Sequence, residues 1–262
     1  MSIEKTEAIV LKAVNYRDTS KIVTFYTKRY GKMSAIAKGA RNPKSKFGSL
    51  FQPLNYLQIV FYRRENRQLQ YVSSSDFVKY FKSLTTSVEK LSVAISLIEI
   101  VNRVMHDEEE NEQLFMLLVD SLAEVDKVDQ ENPSSLQGPL SVFVHFGLHL
   151  AIDLGFEPNF EKCLICHKRI NTQKQKKVGY VIEKGGPLCE DCLPKTNASY
   201  ALSAPALLIL QSFVRLSPGA AAKSKIELEL QHELSNFIFV YLRKHSDSLK
   251  EIRSLKFLNA LK

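Results

Sequence analysis

Tyr56-Leu57-Gln58-Ile59-Val60-Phe61-Tyr62 is the stretch on which the reading of the fold turns. Leu57, Ile59 and Phe61 share one face and Tyr56, Gln58, Val60 and Tyr62 the other, the period-two pattern of a β-strand with a buried side. Upstream, Glu7 to Ala13 sets Ile9, Leu11 and Ala13 on one face, and a polar turn follows at Asn15 to Ser20. Lys21 to Thr27 is a second β-branched and aromatic run, and Tyr30-Gly31-Lys32 reads as a hairpin turn into Met33 to Lys38. A loop from Gly39 to Gly48 and a fifth run, Leu69 to Ser73, complete the segment. Five short strands in a small basic segment predict an OB-type barrel over residues 1–80, with Leu57, Ile59 and Phe61 facing its interior. The face carrying Tyr56 and Tyr62 either presents rings to bases or packs against the neighbouring domain, and the pattern leaves both open.

Charge is distributed as unevenly as the periodicity. The chain of 262 residues has a formal net charge of +8. Residues 1–80 carry 15 basic and 5 acidic side chains, residues 81–160 carry 4 and 14, and residues 161–262 carry 17 and 9. A positive block of that density favours a polyanion, nucleic acid before an anionic membrane surface. At 45% hydrophobic and 24% charged the composition is globular, which excludes collagen-like and mostly disordered classes. No run approaches the ~18 apolar residues of a membrane span, and Met1 to Thr6 has no apolar core of a signal peptide, so a soluble cytoplasmic protein is expected.

From Ser83 the period becomes helical. Leu91, Ala94, Ile95, Ile98, Val101 and Val104 form one stripe, and Leu114, Leu117, Leu118 and Leu122 another. Between them Asp107 to Glu112 lacks the alternating ligands of a calcium loop and reads as a solvated connection. A third helix spans about Pro139 to Leu154 and stops at Gly155 and Pro158. It carries His145, His149 and Asp153 on one face, among enough apolar neighbours that hydrogen bonding within a helical core is favoured over a metal. Later, Ser203 with Pro205 starts another helix, Ser217-Pro218-Gly219 reads as a break, and Lys225 to Lys244 as a last long helix.

All four cysteines fall in two C-x-x-C pairs, Cys163 with Cys166 and Cys189 with Cys192, separated by 22 residues. Each pair lets a tight turn aim two thiolates at one point, and two such turns complete a tetrahedral site for one structural zinc per chain. Two disulfides would need an oxidising compartment, which nothing here marks. The polar run Asn171 to Lys177 takes up the long spacing, and His167 reads as a bystander. The expected architecture is therefore α+β: an N-terminal OB-fold barrel (1–80), then a helical domain (81–262) with a four-cysteine zinc finger inserted at about 160–197. No phosphate loop, dinucleotide fingerprint, nucleophile elbow or H-E-x-x-H motif is present, so nothing in the sequence supports an enzyme. A zinc-ribbon OB protein acting on RNA shares the basic block and the cysteines, and a nuclease using His145, His149 and Asp153 is a third, weaker reading.

Several stretches together resemble the RecO family of bacterial recombination mediators. They are Glu7-Ala8-Ile9-Val10-Leu11, Tyr16-Arg17-Asp18-Thr19-Ser20-Lys21-Ile22-Val23, Phe25-Tyr26-Thr27 before Tyr30-Gly31-Lys32, and Ala37-Lys38-Gly39-Ala40-Arg41. Further on, Leu154-Gly155-Phe156-Glu157-Pro158 stands ahead of the first cysteine pair and Arg253-Ser254-Leu255-Lys256-Phe257-Leu258 lies near the end. The resemblance spans the chain and points to a zinc-containing branch. It implies a non-enzymatic protein that binds single- and double-stranded DNA, anneals complementary strands, and with RecR loads RecA onto DNA coated by single-strand-binding protein. It implies contact with the acidic C-terminal tail of that protein, for which a groove around Arg253, Phe257 and Leu258 is the expected site, and a cytoplasmic, nucleoid-associated location. The family's DNA-contacting positions carry over to Lys38 and Arg41, and Lys44 and Lys46 lie in the same expected mobile loop, where long cationic side chains can follow a phosphate backbone.

Overall fold

The computed structural model describes residues 2–45, 47–64, 67–128, 137–249, 252 and 254. Five strands, β1 (Ser2–Tyr16), β2 (Ser20–Thr27), β3 (Gly31–Ala37), β4 (Tyr56–Arg63) and β5 (Leu69–Lys79), close into a barrel in the order β1-β2-β3-β5-β4. The 15 residues of β1 pair twice, from Ser2 to Ile9 with β4 and from Ala8 to Tyr16 with β2. One long strand thus closes the sheet upon itself. β3 and β5 pair in parallel and every other pair is antiparallel, the arrangement of an OB-fold.

The interior is filled as the β4 pattern predicts: Leu57, Ile59 and Phe61 are buried beside Val23, Phe25, Met33 and Val72. β1 departs from its expected face. Its inward residues are Ala8, Val10 and then Ala13, because the register shifts between Val10 and Lys12 and the extra residue carries the inner face from even to odd positions. Ile9 is fully buried on the alternate face, and β1 contacts α1. β5 also runs six residues beyond Ser73. Its polar continuation, Ser74, Ser75 and Asp76, pairs with Val60, Ile59 and Gln58 of β4, a non-local pairing that overrides its low strand propensity.

The chain falls into two compact units, Met1–Asp126 with Ile252–Lys262, and Lys127–Glu251. In the first, α1 (Val88–Val104) is capped by the Ser87 hydroxyl, which accepts from Lys90 N, and α2 (Glu112–Lys127) by Asn111 Oδ1, which accepts from Leu114 N at 2.8 Å. The chain returns to this unit near its end: Ser254 N and Oγ both donate to Glu99 Oε2 on α1, at 2.9 and 2.6 Å.

The second unit holds α3 (Gln137–Asp153), the antiparallel sheet β7 (Gly186–Leu188)-β6 (Lys177–Val181)-β8 (Tyr200–Ser203), α4 (Ala204–Phe213), α5 (Pro218–Ala222) and α6 (Leu228–His245). α3 and α6 approach closely at Gly147, where a Cβ would lie 2.2 Å from Ile238 Cγ2. Phe237 of α6 meets the ring of Tyr180 on β6 edge-on at 5.0 Å and so binds the small sheet to the helices. Ser217-Pro218-Gly219 stands at the break after α4, which ends at Phe213, and also starts a helix: the Ser217 hydroxyl accepts from Ala220 N, and Pro218, whose missing N–H costs nothing in a first turn, opens α5. No helix among the described residues is long and apolar enough to cross a membrane.

Candidate nucleic-acid interface and metal centre

Because Met33, Ala35 and Ala37 of β3 point into the barrel, Ser34, Ile36 and then Lys38 fall on its outer face. Ile36 lies opposite Tyr71 of β5, and Tyr71 opposite Tyr62 of β4. Lys38 Nζ stands 4.8 Å from the Tyr71 ring centroid. A cation over an aromatic ring, with a second tyrosine on the next strand, offers a phosphate contact and π-faces on one stripe. Tyr71 was not singled out by the sequence, since the parallel β3–β5 pairing that brings it to Lys38 leaves no local pattern. Tyr56 belongs elsewhere: it is buried, its hydroxyl donates to Glu7, and its ring meets Phe115 of α2 at 6.1 Å. Burial raises its pKa, and it offers no ring to a base.

Arg41 sits beside the β1–β2 turn, because Lys21 pairs with both Asn15 and Ala37 and so brings that turn next to the end of β3. Its Nη1 donates to the carbonyls of Arg17 and Asp18, each at 3.1 Å, and its backbone N to Thr19 O at 2.9 Å. Arg17 takes a left-handed φ of 51° at the tip of the turn, with its guanidinium 5.2 Å from the Tyr16 ring. The loop after β3 is tied down where a mobile one was expected. Asn42 N donates to Gly39 O, Ser45 N to Asn42 O, and Phe47 returns into the barrel core, 2% exposed, with its ring 4.9 Å from Phe51. Lys44 is exposed on this ordered loop, and Lys46 lies outside the described residues. Lys38, Arg41, Arg17 and Tyr71 thus share one end of the barrel.

The four cysteine sulfurs all lie within 4.8 Å of one another, with Cys166 Sγ and Cys189 Sγ 3.6 Å apart. All four thiols are free, so the disulfide alternative does not describe this site. Zinc–sulfur bonds of about 2.3 Å in a tetrahedron separate the sulfurs by about 3.8 Å, so the group has the size and donor chemistry that zinc requires. β7 ends at Leu188 and delivers Cys189, while Leu164 N donates to Pro187 O at 2.8 Å and joins the two turns. Desolvation opposes ionisation of Cys163, but N–H groups of Cys166, Cys189 and Ile165 outweigh it and lower the thiol to about 6, whereas burial raises Cys189 and pushes Cys192 up to about 12, so without a cation the cluster does not hold four thiolates. His167 has a φ of 60° and its N donates to Cys163 O at 3.0 Å; its ring is not part of the cluster.

The histidine face of α3 has another role. His145 Nε2 donates to Leu216 O at 2.8 Å and His149 Nε2 to Phe213 O at 3.4 Å, with the two rings stacked at 4.2 Å. They satisfy carbonyls at the end of α4, and burial lowers both pKa values, that of His145 to about 4. Arg253, Phe257 and Leu258, the expected groove for an acidic peptide, lie outside the described residues.

Comparison with known proteins supplies the family. Residues 1–81 match the model for the N-terminal part of recombination protein O, and residues 86–255 match that for its C-terminal part. The chain is 30% identical to the DNA repair protein RecO of Chloroherpeton thalassium over 99% of both chains. It is 29% identical to that of a Thermoanaerobacter species over 100% of this chain and 99% of the relative. RecO of Chlorobium limicola is 30% identical over 97% of this chain and 96% of its own length. With both halves matched and relatives aligned end to end, this chain belongs to the RecO family of recombination proteins.

Proposed function

We propose that this protein is a DNA-binding mediator of recombinational repair that works by binding, without making or breaking covalent bonds. It holds single- and double-stranded DNA on the outer face of the barrel at Lys38, Arg41 and Lys44, with Lys46 in the same loop. It anneals complementary strands and, with RecR, loads RecA onto DNA coated by single-strand-binding protein, whose C-terminal tail it also contacts. These steps belong in the cytoplasm, at the nucleoid. The observation that carries the reading is the Lys38–Tyr71 pair beside Arg41 and Arg17 in a chain of this family. Such a surface neutralises phosphates and stacks bases without reading sequence. One zinc per chain, held by Cys163, Cys166, Cys189 and Cys192, serves as a structural pin, because four protein ligands leave no open coordination position.

The test is fluorescence anisotropy of a labelled single strand over a salt series, followed by addition of the complementary strand. Log affinity should fall linearly with log salt, by about 0.7 per neutralised phosphate, and pairing should accelerate. Absence of binding at low salt would refute the reading.

A further inference from the structure

The acidic connection between α1 and α2 is not merely solvated. Asp107 forms a β-bridge with Lys32 of β3, Glu108 N donates to Lys32 O at 2.9 Å, and the Tyr26 hydroxyl donates to Asn111 O at 3.2 Å. Lys32 Nζ lies 3.6 Å from Asp107 Oδ1 and Lys28 Nζ 3.2 Å from Glu112 Oε1. The backbone of Glu109 crosses Gly31 so closely that a Cβ there would stand 2.1 Å from Glu109 O, and Gly31 also has a φ of +59°. The segment is seated on the β2–β3 hairpin, at the end of these strands away from Lys38.

We propose that residues 107–112 act as an intramolecular stand-in for a phosphate backbone, covering the Lys28–Lys32 end of the β2–β3 outer face and confining DNA to the Lys38 end. Two features carry this. Each lysine that would extend the Lys38 stripe is matched with a carboxylate, Lys32 with Asp107 and Lys28 with Glu112. Segment and hairpin also make backbone contacts of the kind an added strand makes, so the match is built and not a chance meeting of side chains. The inference rests on the DNA-binding reading and deepens it by setting a boundary to the footprint.

The experiment compares Asp107→Asn/Glu112→Gln with Glu108→Gln/Glu110→Gln, which removes the same two charges without touching either ion pair, by anisotropy on single-stranded DNA. The first variant should bind about three- to tenfold more tightly at low salt, with a salt slope steeper by about 1.4 for two newly neutralised phosphates, and should occlude a longer stretch of strand. Adding Lys28→Ala/Lys32→Ala should abolish that gain. An equal gain in the charge-matched control, or none in the first variant, would overturn the inference while leaving the DNA reading standing. Failure of the wild type to bind would remove the DNA reading itself. Unfolding curves for each variant separate these outcomes from misfolding.

Discussion

Arg41 is asked to do two things at once, and substitution separates them. Its two side-chain bonds to Arg17 O and Asp18 O hold the β1–β2 turn against the loop after β3. A hydrogen bond contributes about 0.5–1.5 kcal/mol net, and at this exposed site water replaces much of it, so Arg41→Ala should cost about 1 kcal/mol in all. For a unit of this size that lowers Tm by about 3–5 °C. The same change removes one phosphate contact and flattens the salt slope by about 0.7, so the affinity advantage of the wild type shrinks about 2.5-fold between 50 and 200 mM salt. Lys38→Ala, which removes a charge and, among the described residues, a cation–π contact to Tyr71, should flatten the slope equally with Tm nearly unchanged. Arg41→Lys should restore the slope, because the charge returns, and not the Tm, because an ammonium does not span both carbonyls. The assays are anisotropy titrations over a salt series and differential scanning calorimetry. A lowered Tm with an unchanged salt slope in Arg41→Ala would refute the phosphate role and leave the arginine as a fastener of the turn.

Two further outcomes concern the second unit. Cys189→Ser should reduce bound zinc, measured by atomic emission, from one per chain to near zero and make the segment around 160–197 sensitive to limited proteolysis while the barrel's far-ultraviolet signal persists; a full complement of zinc in the variant would count against the four-cysteine site. Burial holds the folded-state pKa of His145 and His149 below their unfolded values, so the unfolded chain binds more protons, and stability present above about pH 6.5 falls as pH drops toward 4. Urea midpoints at pH 7 and pH 5 should therefore diverge, and by less in His145→Gln; an identical divergence would show that other groups control it.

The sequence was most informative where chemistry is local. The cysteine pairs, the β4 alternation and the Ser203 cap each show their structure within a few residues, and each is found where the spacing placed it. The failures share a non-local cause. A single inserted residue in β1 splits its inner face into Ala8 and Val10 before it and Ala13 after it, so Ile9, Leu11 and Ala13 do not share one face, and only the pairing with β2 reveals it. The basic loop read as mobile because the nine residues of Gly39 to Gly48 other than Phe47 are small, polar, charged or proline, and the decisive signal was that one aromatic, whose burial depends on a core formed by distant strands. The acidic run is solvated as its composition suggested, with its carboxylates exposed, but nothing within it names Lys28 and Lys32 as partners.

The bond from Ser254 to Glu99 has a meaning for the order of synthesis. Residues 127–251, which form the second unit, lie between two pieces of the first, so Glu99 is synthesised 155 residues before the serine that binds it. Until then Glu99 lacks its bonds from Ser254, and its pair with Arg103 at 3.0 Å, four residues along the same helix, can form at once, while the four-cysteine unit is still being made. A chain released short of Ser254 would carry the barrel, α1 and α2 without the two bonds that Ser254 makes to Glu99.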